Sequence, residues 1–168
     1  MNKNLILAGM MGVGKSTLGK ALSLQLKMKF IDTDVEIEKR ESEAINSLFE
    51  NKGEDYFRKL EEKITLKSLK NKKNVIALGG GGFINDNIRK EVLSNHISFW
   101  LDWDESILLQ RIRNSKKRPL VFKSTDKEIK EIIKKRIKVY SKAQFKINCN
   151  KLTKTEIQKK IIKIYELN

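Results

Sequence analysis

The segment GMMGVGKS at residues 9–16 sets glycines, a lysine and a serine in the pattern G-x-x-x-x-G-K-S, directly after the apolar run LILA. Backbone N–H groups in such a loop turn inward to hold phosphate oxygens, and the helix that opens behind it adds its positive end. Gly12 and Gly14 shape that cradle, Lys15 reaches the outer phosphates, Ser16 offers an oxygen to Mg²⁺, and Thr17 follows in the first helical turn. The flanking strand and helix complete the pattern, so the ligand expected here is a nucleoside triphosphate. A second cluster, KFIDTDV at residues 29–35, places Asp32 and Asp34 two apart beyond a short apolar run. Asp34 suits the cap of the following helix. The pair also suits a bound cation or a reacting proton, and one carboxylate can serve both ends.

Two arginines stand out because the chain has 29 lysines against 7 arginines. Arg58, in GEDYFRKLEE, opens a helical stretch with Glu61 three residues on, close enough to brace it. A planar guanidinium grips a carboxylate bidentately, which lysine cannot do; an ordinary surface ion pair is the alternative. Arg136 shares a helical face with Ile129, Ile132, Ile133 and Tyr140. A charge on an apolar face is costly unless paired, so Arg136 meets either a protein carboxylate or an anionic ligand in a cleft. The run Gly79-Gly80-Gly81-Gly82 follows the apolar stretch NVIAL, at the end of a strand where parallel α/β sheets place their ligands. Without side chains, its backbone can approach a small polyol closely. No acidic residue ends that strand. His96 and Cys149, each the only residue of its type, read as structural, and Trp100 and Trp103 read as packing residues.

The elements that must position these groups alternate. Strands are expected at Leu5–Ala8, Lys29–Ile31, Asn74–Leu78, Ile97–Leu101 and Phe145–Asn148. Helices are expected at 16–27, 35–51, 54–70, 86–94 and 104–113. TDKE at 125–128 and TKTE at 153–156 have the capping-box form and open two more. The stretch 114–124, with the single proline at its centre, reads as a loop. Such alternation predicts an α/β fold with a parallel sheet covered by helices. At 168 residues one domain is expected. No apolar run is long enough to span a bilayer, and with MNKNLILAG leading straight into the motif no signal peptide is expected. One cysteine excludes an internal disulfide and one histidine argues against a Cys/His zinc site, so a reducing cytoplasm is the expected compartment. The formal net charge of +15 would suit nucleic acid, but its lysines are scattered between isoleucines and asparagines, so no nucleic-acid partner is expected.

The loop alone does not choose a reaction, because switches, motors and small-molecule kinases share it. The rest of the chain resembles the shikimate kinases along nearly its whole length. The resemblance rests on GMMGVGKST, FIDTD, GEDYFR at 53–58, GGGG at 79–82, Arg118-Pro119 and RIKVYSKA at 136–143, in that order. It implies a three-layer P-loop kinase fold of the nucleoside-monophosphate-kinase type, with a five-stranded parallel sheet in order 2-3-1-4-5. Within a single kinase domain over 1–168, it implies a substrate-binding region at 32–62 and a lid at 113–124. The implied reaction is Mg²⁺-dependent transfer of the γ-phosphate of ATP to the 3-hydroxyl of shikimate, in the chorismate and aromatic amino-acid pathway, by a monomer with no membrane partner. By the same resemblance Asp32 joins Ser16 near the metal, and Asp34 hydrogen-bonds the acceptor hydroxyl as the base. Arg58, Arg136 and Gly79–Gly81 bind shikimate, with Phe49 and Phe57 as apolar walls unless they are simply core. Lys15 and Arg118 act on the transferring phosphate. Arg111 stacks near adenine, or is a helix-surface arginine. The loop CNKLT at 149–153 matches the family's adenine site poorly. A gluconate kinase, or a basic nucleic-acid-binding NTPase, is the alternative.

Overall fold

The structure is a computed structural model and describes residues 3–114 and 124–168. The apolar run Leu5–Ala8 (β1) has no solvent exposure at any of its four residues. A strand apolar on both faces needs a layer on each side, as the centre of a parallel sheet requires. β1 lies between Asn74–Ala77 (β3) and Ile97–Asp102 (β4). Lys29–Asp32 (β2) and Phe145–Asn148 (β5) form the edges, so the parallel sheet runs in the order β2-β3-β1-β4-β5. Edge position explains the more polar pattern of KFID and FKIN against the fully buried NVIA.

Among the described residues the α-helices are α1 (Lys15–Leu26), α2 (Thr33–Glu41), α3 (Ile45–Lys70), α4 (Asp86–Asn95), α5 (Glu105–Arg113), α6 (Asp126–Tyr140) and α7 (Lys154–Glu166). Thr125 and Thr153 each form the full capping box with Glu128 and Glu156 that their sequences predict. Beyond shifts of element ends, two helical stretches depart from the sequence reading. The expected single helix over 35–51 is broken at Ser42, whose φ of 53° ends α2 in the left-handed region. The expected break near residue 53 is a kink instead: helix runs on both sides of Gly53, whose φ and ψ are 80° and 170°.

One large core fills both faces of the sheet. A second, smaller cluster of Ile37, Ile45, Leu48, Phe57, Leu60 and Ile64, with Phe49 against it, holds α2 to both halves of α3. The N-termini of the strands meet at a buried polar node. Asn4 donates through Nδ2 to the carbonyls of Leu69 (3.1 Å) and Asn71 (2.6 Å), and its Oδ1 accepts the N–H of Asn74 (2.9 Å). Its own N–H reaches Nδ1 of His96 at 3.5 Å. Among the described residues, no helix is long and apolar enough to cross a membrane.

Candidate active site

All five strands point the same way, so the segments leaving β1, β2, β3 and β4 emerge on one edge. The loop after β1 carries the glycine-lysine-serine motif. Lys15 is 8% exposed, and its ammonium donates to the carbonyls of Gly9 and Met10 at 2.8 Å each. Gly14 stands at the N-terminus of α1, which leaves that end of the helix open toward the loop.

Where β2 passes into α2, Asp32 rather than Asp34 is the cap. Oδ1 of Asp32 accepts the N–H groups of Asp34 (3.1 Å) and Val35 (3.4 Å), while its Oδ2 accepts the Ser16 hydroxyl at 2.5 Å. The correction has a physical reason: β2 extends one residue further than expected, so the first helical turn begins at Thr33. Asp34 then lies inside that turn, with its carboxylate turned toward the glycine run rather than toward the helix end. A Cβ built on Gly79 would collide with Oδ1 of Asp34 and stand 3.0 Å from Oε1 of Glu61.

Arg58 reaches the same wall from α3. A Cβ on Gly81 would occupy the place of its guanidinium. Nη1 donates to Glu61 at 2.7 Å, and Nε and Nη2 donate to Glu54 at 3.2 Å. Burial opposes the charge on Arg58, but Glu61 and then Glu54 outweigh it and hold its pKa above the ordinary value. The guanidinium carbon lies 5.2 Å from the Phe57 ring and 5.9 Å from the Phe49 ring, and these rings pack 4.5 Å apart. Phe57 is fully buried, so it serves the small core as well as this wall.

From α6, Arg136 is half-buried and donates to the Gly80 carbonyl at 3.4 Å; Tyr140 donates to the same oxygen at 2.5 Å. Among the described residues no carboxylate lies within ion-pair distance of Arg136, and its Nη1 faces the glycine run at Gly80. The apolar face expected around it is narrower than the sequence suggested, because Ile132 is 39% exposed while Ile129, Ile133 and Tyr140 are buried. Gly80 approaches the loop itself, with a built Cβ 3.3 Å from the N–H nitrogen of Met11. Gly82 opens a short 3-10 turn, Gly82–Ile84.

Beyond the loop lies a cavity of about 330 Å³ lined by Gly14, Thr17, Trp103, Arg111, Cys149 and Leu152, among others. Arg111 is no free surface arginine. Its guanidinium carbon lies 4.1 Å from the Trp103 ring, and Nη1 donates to the Gly12 carbonyl at 3.2 Å. The loop after β5, although a poor match in sequence, contributes Cys149 and Leu152 to this cavity. Burial, followed by the charge of Asp102, pushes the Cys149 thiol up to about 12, so it stays protonated and unreactive. Arg118 lies outside the described residues.

The structure thus brings Lys15, Ser16, Asp32, Asp34, Arg58, Gly79, Gly80, Gly81 and Arg136 to one cleft, with Gly12, Gly14, Thr17 and Arg111 beside it. Sequence reasoning missed Thr33, Trp103 and Tyr140. Trp103 could have been found from its place after β4, on the ligand edge; nothing in the sequence marks the burial of Thr33.

A family model described as shikimate kinase matches residues 11–166. A shikimate kinase of Bartonella henselae is 40% identical over 96% of this chain and 78% of its own length. Among solved structures, shikimate kinase from Acinetobacter baumannii in complex with shikimate superposes with a TM-score of 0.91 at 30% identity, over 99% of this chain and 94% of its own. Shikimate kinase from Aquifex aeolicus gives 0.85 at 39% identity, over 97% and 96%.

Proposed function

The chain belongs to the shikimate kinase family, and on that premise we propose that it transfers the γ-phosphate of ATP to the 3-hydroxyl of shikimate. The observation that carries the substrate is the convergence of two guanidinium groups, Arg58 and Arg136, on the glycine run next to the phosphate loop. A ring acid whose carboxylate meets both arginines presents its hydroxyls toward Asp34 and the phosphates.

In this reading the backbone of residues 9–14 and the Lys15 ammonium hold the phosphates and draw off charge as the terminal phosphoryl group departs. Asp34 orients the acceptor hydroxyl and takes its proton as the new O–P bond forms and the bond to ADP breaks. Ser16 and Asp32 bring two hard oxygens together at 2.5 Å, a pair that would hold Mg²⁺. The metal would supply neutralisation of phosphate charge. Arg111 and Trp103 border the space for the base. Residues 32–62 form the substrate-binding region and 113–124 the lid, whose Arg118 acts on the transferring phosphate. The enzyme acts as a cytoplasmic monomer without nucleic acid.

A coupled assay of ADP release with MgATP and, in turn, shikimate, gluconate and nucleoside monophosphates tests this. Stimulation by shikimate alone is expected. Stimulation by gluconate in its place would replace the acceptor, and none by any acceptor would end the assignment.

A further inference from the structure

Thr33 stands between the two aspartates of the site and is completely buried. Its Oγ1 accepts the Gly79 N–H at 2.9 Å and donates to the Ala77 carbonyl at 3.4 Å. The β2–β3 ladder ends one step earlier, at the pairing of Asp32 with Ala77. Where the backbone of β2 turns away into α2, the Thr33 side chain therefore takes over the pairing and continues it to the glycine run. Gly79 answers from the other side: the space a Cβ would fill there is held by the carboxylate of Asp34. Thr33 is thus bonded to Gly79, and Asp34, its neighbour in the chain, packs against the same glycine.

We infer that Thr33 is a positioning residue for phosphoryl transfer, holding Asp34 at the distance from Gly79 at which an acceptor hydroxyl fits between carboxylate and phosphate. This rests on the kinase reading above. Valine keeps the shape of threonine but leaves the buried Gly79 N–H without its acceptor, whereas serine keeps the hydroxyl. A misplaced acceptor lowers the chemical rate more than it weakens nucleotide binding, because the loop that grips the nucleotide is untouched.

The test compares wild type with Thr33→Val, Thr33→Ser and Thr33→Ala in the shikimate-dependent ADP-release assay, with thermal melts of each. Wild type must show shikimate-stimulated turnover; its absence overturns the kinase reading and this inference with it. Given that turnover, Thr33→Val is expected to lower kcat by about tenfold while the KM for ATP stays within about twofold. Thr33→Ser should recover most of the loss. If Thr33→Val does not fold, Thr33→Ala bears the same comparison. The inference is overturned if the hydroxyl-free variant matches wild type in kcat, or if Thr33→Ser falls as far as Thr33→Val. It is also overturned if kcat, ATP KM and melting temperature collapse together, or if neither hydroxyl-free variant folds, since Thr33 would then be structural only.

Discussion

A methyl group at Gly81 would land on the Arg58 guanidinium, and one at Gly79 on the Asp34 carboxylate. Two of the four consecutive glycines are therefore shaped by the charged groups facing them. Gly81→Ala should raise the shikimate KM by about tenfold, because Arg58 must leave its seat against Glu61 to make room, while the ATP KM holds. Steady-state titration of each substrate separates the two. The roles of the charged groups themselves divide in the same assay. Asp34→Asn should lower kcat by about a hundredfold or more with little change in shikimate KM, since on the proposed mechanism it removes the base while keeping the size of the side chain. Arg58→Lys should chiefly raise shikimate KM, by about tenfold, because an ammonium cannot present two parallel donors to a carboxylate. The reverse pattern would exchange the two roles. At this scale the sequence was legible where chemistry demands a residue type, as at Lys15, Ser16 and Arg58. It was less legible where a one-residue shift decides the outcome. The exchange of capping duty from Asp34 to Asp32 turns on where β2 stops, and both residues favour a helix N-terminus equally well.

Among the elements, the strands were readable because each is a short apolar run bounded by polar or glycine-rich segments, and the capping boxes fixed the starts of α6 and α7. The break between α2 and α3 was not, since SEA at residues 42–44 contains neither glycine nor proline, and Ser42 adopts a conformation its type does not announce. The loop after β5 escaped for a related reason: it serves the cavity through the positions of Cys149 and Leu152 rather than through a recognisable pattern. The foot of the sheet offers a test of element-level stability. His96 is buried between α4 and β4 with Asn4 at its Nδ1, Glu91 at 3.8 Å from its Nε2, and Lys72 nearby. Burial, with Lys72 assisting and Glu91 opposing, lowers its pKa below the ordinary 6.5. The unfolded chain thus binds the proton first as pH falls. The contribution of neutral His96 is intact above pH 6.5 and is lost as pH drops through the folded-state value. Thermal melts between about pH 7.5 and 5 should show wild type losing more melting temperature than His96→Asn, which keeps an acceptor for the Asn4 N–H and cannot titrate. Equal losses would place the acid sensitivity elsewhere.

Across the whole molecule, the positive charge that dominates the composition is not what builds the cleft. Of the 36 basic residues, Lys15, Arg58, Arg111 and Arg136 are held there by hydrogen bonds or ring contacts. The lysines scattered outside the site should draw anionic substrates inward as a diffuse field, so kcat/KM for ATP should fall a few-fold as salt is raised, through the association step. The apolar residues are divided as well, into the large core around the sheet and the small cluster at α2 and α3. The glycine-lysine-serine loop sits on the first; Arg58, Phe49 and Phe57 sit on the second, joined to the rest through a helix kinked at Gly53. A region resting on six buried side chains comes loose at lower denaturant than one resting on a full sheet. Mild urea should therefore blind the enzyme to its ring acid while it still recognises ATP, and amides over residues 33–52 should exchange faster than those of β1 until shikimate is added and slows them.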